Sequence, residues 1–187
     1  AGDSEPNRDD KELEWLFGEQ CSHSETCQLA LHYDWQSTPL GAIRSWPPSL
    51  QTALSIIMNS RFPMIVWFGE ELRLLYNDAY KAVLGKKHPQ FFGLPGDHCF
   101  SEIWDIIGTM LKSVLRTGKP TWVTDQLLFL DRYDFLEETY WTYSYSPIFS
   151  PQKTIGSYFF LFFFFSEDCA SLDRCSFSIS QMVASLR

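Results

Sequence analysis

The sequence has no apolar run long enough to cross a membrane. A spanning helix needs about 20 apolar residues, and the most apolar stretch, residues 158–165 (YFFLFFFF), is far shorter and runs into Ser166, Glu167 and Asp168. The start of the chain also lacks the basic and then apolar pattern of a signal peptide. We therefore expect no membrane partner and a cytoplasmic location.

Basic residues are outnumbered. The chain has 15 Lys and Arg against 23 Asp and Glu, and a formal charge of −8 at pH 7. Proteins that bind nucleic acids do so through clustered Lys and Arg side chains, and those residues are scattered here. The sequence therefore predicts no nucleic-acid partner.

Cysteines are few and odd in number, five in 187 residues, so no disulfide framework is expected and a reducing compartment fits. Cys21, His23, Cys27 and His32 do form a C-x-H-x3-C-x4-H cluster of residue types that bind zinc. The spacing matches no standard finger and no second half follows, so we favour a polar loop and expect no metal.

Paired acids also lack a catalytic setting. Adjacent strand residues point to opposite faces, so neither Glu70-Glu71 nor Glu137-Glu138 is expected to form a carboxylate dyad. No nucleophile stands with a supporting base motif. We expect no enzyme within this chain.

What the sequence does contain is a regular order of apolar patterns, with 45% hydrophobic and 17% aromatic residues. Apolar spacing and capping signals predict helices, and runs of strand formers between turn residues predict strands. The helices are expected at residues 11–20, from Ser45 or Trp46 to 60, at 79–84, and from a Ser101 cap to 117. The strands are expected at 63–68, 72–76, 121–130, 138–146 and 155–165. This order predicts an α+β fold with a five-stranded antiparallel sheet and helices on one face.

The phenylalanine run has two sides in an extended strand. Alternation puts 158, 160, 162 and 164 on one side and 159, 161, 163 and 165 on the other. An uncovered apolar sheet face is prone to aggregation. We therefore expect a cover, either the 46–60 helix, the 13–17 segment or a second subunit.

Two short motifs resemble those of the PAS family of sensory domains. Asn77-Asp78-Ala79-Tyr80 resembles that family's Asn-x-Ala-Phe/Tyr after the second strand, and residues 144–148 (SYSPI) resemble the Ser-x-Ser-Pro-Ile that closes its fourth strand. Residues 34–89 are similar to one PAS subgroup, found at the amino end of multi-domain hybrid sensor histidine kinases. The likeness divides the chain into an N-terminal extension that is helical or partly disordered (1–32), a PAS domain (33–168) and a C-terminal linker or signalling helix (169–187).

The resemblance implies a signal-input module that binds a small ligand or mediates dimerisation. It would pass its signal through the C-terminal helix to a downstream kinase, GAF or second PAS domain of the same protein. The phospho-acceptor His box and the Gly-rich ATP lid of a histidine kinase do not occur in these residues. A ligand-free dimerisation module and a cofactor-bearing photoreceptor or gas sensor are the alternatives.

The family's geometry suggests that one face of the fourth strand lines a ligand pocket. The candidate pocket residues are Tyr80, Trp104, Trp141, Tyr143, Tyr145, Tyr158, Phe160 and Phe162. Aromatic rings with polar tips suit a flat, partly polar ligand. The alternative is an aromatic core whose hydroxyl groups have internal partners.

Three residues are cofactor candidates. Gly96-Asp97-His98-Cys99 resembles the Gly-x-x-Cys of flavin-binding LOV domains, in which the cysteine attacks the excited flavin. LOV domains carry Arg and Gln directly afterwards, whereas this chain has Phe100-Ser101-Glu102. His88 and His98 lie where heme-binding PAS domains place a ligand. We expect no cofactor, with flavin or heme as alternatives.

The end of the chain has an apolar repeat at spacings of three and four, Leu172, Cys175, Ile179, Met182 and Leu186, which is typical of one stripe of a helix. In sensors such a helix often pairs as a coiled coil. We therefore expect a homodimer, with an interface at Phe159, Leu161, Phe163, Phe165, Leu172, Ile179 and Met182.

Overall fold

The computed structural model describes residues 16–149, with residues 19 and 20 as backbone only, and residues 159–165 as backbone. Five α-helices are described: α1 (Glu25–His32), α2 (Pro48–Met58), α3 (Lys81–Leu84), α4 (Gly96–Cys99) and α5 (Trp104–Thr117). Single 3-10 turns stand at Glu19–His23, Trp35–Ser37, Ile43–Ser45, Asp78–Tyr80 and Gly85–Lys87. The strands are β1 (Met64–Phe68), β2 (Arg73–Tyr76), β3 (Val123–Asp131), β4 (Leu136–Ile148) and β5 (Phe159–Phe165). The predicted C-terminal helix lies outside the described residues.

The strands are ordered β2-β1-β5-β4-β3, and every neighbouring pair is antiparallel. The α+β layout predicted from the apolar patterns is therefore present, and each strand lies within a few residues of its predicted position. Strand β5 sits in the middle, between β1 and β4. A central strand is covered on both faces when elements pack on each side of the sheet, which accounts for its unbroken apolar sequence.

The inner face of the sheet packs against α3, α4 and α5 with the turns around them. Helix α5 contacts β4, and its buried side chains Ile107, Leu111 and Val114 recur at helical spacing. The apolar spacing that predicted a helix up to residue 117 is thus the buried face of α5. The helix begins at Trp104, however, after an Ile103 cap that makes no side-chain bond. The prediction that Ser101 caps it was wrong.

One helix lies on the other face of the sheet, which differs from the prediction of helices on one face. Helix α2 contacts both β1 and β4 and so crosses β5 between them. Trp46, just before α2, packs its ring edge-on against Phe68 at 5.4 Å, while Trp67 faces the opposite side of β1. Leu50, Leu54 and Ile57 of α2 are fully buried. The register places positions 159, 161 and 163 of β5 opposite Phe68, Val66 and Met64, on the face that α2 crosses.

The segment before α2 is more ordered than the sequence predicted. Residues 21–32 were expected as a polar loop, yet Glu25–His32 is a helix whose cap, Ser24, accepts a hydrogen bond from the Cys27 N–H. Polar and cysteine residues concealed the apolar side of this short helix, which packs through Cys27 and Ala30 into the common core. Gly18 (φ +78°) separates helical Leu16 and Phe17 from the following turn. The predicted helix at 11–20 therefore does not continue through residue 20.

Asn77 ties the end of α2 to the start of β1. Its Nδ2 donates to the carbonyls of Ile57 (3.0 Å), Ser60 (3.0 Å) and Phe62 (2.7 Å). Its Oδ1 accepts from the N–H groups of Met64 (3.0 Å) and Tyr80 (3.2 Å). Because the side chain is buried, its polar atoms depend on these backbone partners for their hydrogen bonds. An amide fits here because it supplies two N–H donors and a carbonyl acceptor, whereas a hydroxyl has one proton to donate and a carboxylate has none.

The helices that the structure describes include none with the length and apolar character of a membrane span.

Candidate functional site

A cavity of about 30 Å³ lies between the inner face of the sheet and the helices. It is lined by Trp67, Tyr80, Val83, Phe100, Ile103, Ile107, Leu128, Leu130, Trp141, Tyr143 and Tyr145. A single water needs at least about 10–15 Å³, so the space as it stands takes about two water molecules. The walls are aromatic and aliphatic, with a few polar tips.

A β-bulge sets which residues of β3 face the cavity. Val123 pairs with Tyr143 and Gln126 pairs with Trp141, so β3 carries one extra residue between these pairs. Asp125 takes up the extra length with a positive φ of 53°, and its N–H donates to Thr142 Oγ1 at 3.1 Å. A bulge of this kind resets the alternation of a strand. As a result Leu128 and Leu130 face inward and Leu127 and Phe129 face outward.

The polar atoms of the lining side chains differ in whether they have a hydrogen-bond partner. Tyr143 donates its hydroxyl proton to Gln126 Oε1 at 2.5 Å, and Trp141 Nε1 donates to Thr139 Oγ1. Trp67 is buried, with its ring against Phe100 and Trp104 at 5.9 Å each. Its Nε1–H has no hydrogen-bond partner among the described residues. This N–H is the lining's unused donor.

The cavity is electrically neutral. Burial raises the pKa values of the Tyr80, Tyr143 and Tyr145 hydroxyls, so all three phenols keep their protons at ordinary pH. The lining residues that the structure describes include no charged side chain. A charged ligand would lose its hydration here without gaining a partner, so the cavity suits neutral molecules.

Four of the eight predicted pocket residues, Tyr80, Trp141, Tyr143 and Tyr145, are in the lining. Trp104 is not. Its ring instead packs on the backbone of Gly96 and Gly108, where a Cβ atom would collide with it. Tyr158 lies outside the described residues. The backbone register pairs Phe160 with Trp67 and Phe162 with Tyr145, which puts both positions on the inner face.

Seven lining residues were not predicted: Trp67, Val83, Phe100, Ile103, Ile107, Leu128 and Leu130. Trp67 could have been found, since alternation within β1 separates Ile65 and Trp67 from Val66. Leu128 and Leu130 depended on the bulge, which no local pattern announces. The helical residues depended on how α4 and α5 pack on the sheet.

The three cofactor candidates lie outside the lining. The Cys99 thiol is buried, which raises its pKa to about 12, and its Sγ lies 3.6 Å from the Phe91 carbonyl oxygen and 3.8 Å from that of Leu94. His88 Nδ1 lies 2.9 Å from the Tyr76 hydroxyl and Nε2 lies 3.1 Å from Glu25 Oε1. His98 is exposed. A thiol with a raised pKa is a poor nucleophile, because the thiolate is the reactive form.

The four metal candidates, Cys21, His23, Cys27 and His32, differ in burial and in hydrogen-bond partners. Cys21 and Cys27 are buried. The His23 Nδ1 lies 2.9 Å from Ser22 Oγ, and the His32 Nδ1 lies 2.8 Å from the Gln28 carbonyl. Within the described part of the chain, no group of three or more potential ligands is arranged to hold a metal. Of the predicted interface residues, Phe159, Leu161, Phe163 and Phe165 are described as backbone only, and Leu172, Ile179 and Met182 lie outside the described residues.

No family model matches the chain, and no curated protein matches it. Solved structures do. A variant of RsLOV is 15% identical, with a TM-score of 0.49, and the match covers 74% of this chain and 76% of that one. The PAS domain of a protein from Colwellia psychrerythraea is 10% identical, with a TM-score of 0.46 and coverage of 64% and 98%. The PAS domain of BvgS from Bordetella pertussis is 13% identical, with a TM-score of 0.45 and coverage of 70% and 88%.

Proposed function

We propose that this chain is a PAS-type signal-input module that binds a small, neutral, flat molecule in the inner cavity. The strand order and the Asn77 cap support a PAS module. The observation that carries ligand binding is the buried Trp67 Nε1–H, which has no acceptor among the described residues and belongs to a residue that lines the aromatic cavity. A buried donor without a partner costs about 1–3 kcal/mol. A ligand with a carbonyl or similar acceptor would recover that free energy.

A ligand larger than water requires the cavity to widen, because pockets for small molecules have volumes of about 300–1,000 Å³. Phe100, Ile103 and Ile107 form the side of the cavity given by the helical segment, and Leu128, Leu130 and Trp141 form the side given by the sheet. Separation of these two sides would enlarge the space without breaking the sheet. Ligand binding would then favour the open arrangement over the closed one, which is how a binding event shifts a two-state equilibrium.

The signal would pass to another domain of a longer protein. The resemblance to the PAS subgroup of hybrid sensor histidine kinases makes a kinase, GAF or second PAS domain the proposed receiver. The chain would act as a homodimer and would have no enzymatic activity of its own. Residues 169–187, which follow the central strand, are the proposed output segment.

A ligand-free dimerisation module is the second candidate function. The small volume of the cavity favours it, since about 30 Å³ is already close to a filled core. A flavin or heme sensor remains the third alternative, although Cys99, His88 and His98 are not part of the lining.

Native mass spectrometry of the purified chain tests the proposal, because it reports both a copurified small molecule and the number of subunits. Titration with acetophenone, a neutral flat ketone, then tests the cavity by calorimetry. Loss of one neutral hydrogen bond costs about 0.5–1.5 kcal/mol, so Trp67→Phe should weaken binding roughly two- to tenfold. The matched control, Trp122→Phe, changes an exposed indole and should bind as the unaltered chain does.

Three outcomes would count against the proposal. A chain that carries no small molecule and does not bind acetophenone would point to the ligand-free module. Equal affinity of Trp67→Phe and the unaltered chain would remove the indole donor from the site. A visible absorbance band in the purified chain would point to a cofactor-bearing sensor.

A further inference from the structure

Two cysteines of the N-terminal extension lie side by side. Cys21 belongs to the turn Glu19–His23 and Cys27 to the first half of α1, and each residue is 2% exposed. The Cys21 side chain is a hydrogen-bond partner of the Cys27 thiol. The two sulfur atoms are therefore neighbours, although a turn and a helix cap separate the two residues in sequence.

Backbone and side-chain hydrogen bonds hold this pair together. The Ser24 N–H donates to the Cys21 carbonyl at 3.2 Å, and Ser24 Oγ accepts from the Cys27 N–H at 3.2 Å. Gln28, the next residue of α1, donates from Nε2 to the same Cys21 carbonyl at 3.0 Å, and this nitrogen lies 3.9 Å from Cys21 Sγ. The turn is thus folded back on the start of the helix, which holds the Cys21 side chain against α1.

The pair lies just beneath the surface. Ser22, His23 and Glu25, which stand between the two cysteines in sequence, are all exposed. Short helices outside the central sheet open locally at a lower free energy than core strands do. A small oxidant such as hydrogen peroxide therefore needs only a local opening of the extension to reach the two sulfur atoms.

Cys99, the third cysteine in the described part of the chain, has different neighbours. Its Sγ lies 3.6 Å from the Phe91 carbonyl oxygen and 3.8 Å from that of Leu94. An oxidised cysteine closes a disulfide when a second thiol adjoins it, and without one it proceeds to the sulfinic acid. Cys99 therefore serves as an internal comparison for the pair.

We propose that Cys21 and Cys27 form a reversible disulfide when the protein meets a peroxide. The thiolate of one cysteine attacks a peroxide oxygen, the O–O bond breaks, and a sulfenic acid and one water are formed. The second sulfur then attacks the sulfenic sulfur and displaces its oxygen as another water. The two thiols together lose two electrons and two protons, and one hydrogen peroxide is reduced to two waters. A small-molecule thiol restores the pair by exchange.

The disulfide would fasten the turn to a helix that is itself attached to the rest of the fold. In α1, the Thr26 N–H donates to Asp78 Oδ1 at 3.1 Å, and Glu25 Oε2 lies 2.9 Å from Lys81 Nζ. A cross-link excludes the open conformations in which turn and helix separate, so oxidation slows the local opening of α1. Such transient links are the usual redox sensors of reducing compartments. A ligand in the cavity is not needed for this step.

Peptide mapping of the full chain after peroxide treatment tests the link, with free thiols blocked by iodoacetamide before digestion. A protease that cleaves after glutamate cuts at Glu25, between the two cysteines, so their peptides stay together only when the sulfur atoms are joined. We expect the linked peptides after peroxide and separate ones after dithiothreitol. Cys99→Ser should leave the link unchanged, whereas Cys27→Ser should abolish it. Burial raises the pKa of the Cys27 thiol, so the link should form faster as the pH rises.

Amide hydrogen exchange measures the consequence of the link. Exchange in residues 25–32 should become several-fold slower in the oxidised chain, and exchange in β4 should stay the same. Absence of the link in the native chain, under conditions that join the two cysteines in urea, would overturn the proposal. A native link from either cysteine to Cys169 or Cys175 as the main product would overturn it as well. Equal exchange of the α1 amides in both states would overturn the effect on the extension.

Discussion

The two halves of the outer sheet face have the same apolar alternation but different surroundings. On the β2–β1 half, Val66 and Phe68 are buried, with Trp46 against Phe68 and α2 lying across to β4. On the β4–β3 half, Leu127, Phe129 and Leu136 are exposed. The alternation of side chains along a strand therefore predicts which residues share a face. What covers each face depends on the rest of the chain.

The covered half is also held to the segments before β1 by polar contacts. Asn77 joins the end of α2 to β1, and Asp78 accepts from the Thr26 N–H at the start of α1 at 3.1 Å. The Lys81 Nζ atom lies 2.9 Å from Glu25 Oε2 and 3.2 Å from Asp78 Oδ1. The extension is thus attached to the sheet by hydrogen bonds as well as by apolar packing, and the following predictions measure each part.

The largest effect is expected from Asn77→Ala. The substitution leaves five backbone groups without their side-chain partner, and a buried unsatisfied group costs about 1–3 kcal/mol. We expect a loss of about 4 kcal/mol in the free energy of unfolding, measured by urea denaturation. Asn59→Ala is the matched control, since it removes an exposed amide that donates to Phe17 and Ser55. A similar loss in both variants would mean that the Asn77 network is not the main attachment.

The next effect compares the two halves directly through one chemical change. Leu54→Ala removes a fully buried side chain from α2 and should cost about 3 kcal/mol, the usual range for such cavities. Leu127→Ala removes the same atoms from an exposed position of β3 and should cost less than about 1 kcal/mol. Denaturation of both variants under the same conditions gives the difference. Equal losses would show that the two halves are covered equally well.

The smallest effect concerns the dependence of stability on pH. Burial would raise the pKa of the Asp78 carboxyl, but hydrogen bonds from Ser24, the Thr26 N–H and Lys81 outweigh it and hold the pKa below its ordinary value of 3.8. A lowered carboxyl pKa stabilises the folded chain above the ordinary value, and this contribution is lost as the pH falls through the lowered one.

Asp78→Asn should therefore cost up to about 1 kcal/mol near pH 6, a partly exposed ion pair being worth little more. The difference from the unaltered chain should shrink below about pH 4. Unfolding measured between pH 6 and pH 3 checks this, with Glu70→Gln in an exposed turn as the control. A difference that stays constant down to pH 3 would contradict the role of the ionised carboxylate.

Much of the fold could be predicted because its signals are local. Runs of strand formers between turn residues indicated all five strands. The alternation within β4 indicated that Trp141, Tyr143 and Tyr145 share one face of the sheet. Helix α1 was missed because its cap, Ser24, stands among cysteines and polar residues that also suit a loop. The start of α5 was missed because Ser101 is a good cap in isolation, whereas the chain from Phe100 to Ile103 forms turns before the helix begins.

Half of the predicted pocket residues lie in the lining, and the side chains of Tyr158, Phe160 and Phe162 are not among those described. The reason that Trp104 lies elsewhere is tertiary. Trp104 has the right residue type, but Gly96 and Gly108 provide a surface that holds its ring away from the cavity. Leu128 and Leu130 face inward because the bulge at Asp125 resets β3. Such effects arise from contacts between segments distant in sequence, which local propensities do not contain.

The amino-acid sequence alone determined the order of the strands and of most helices, the two-sided character of the phenylalanine strand and the role of Asn77 as a cap. These properties follow from side-chain period, capping and hydrogen-bond chemistry within short segments. Only the tertiary structure decided that α2 covers one half of the outer face, that the other half stays apolar and exposed, and that Trp67 carries the unused donor of the cavity. Those outcomes depend on which surfaces meet when the chain closes on itself, since burial is a property of the whole fold.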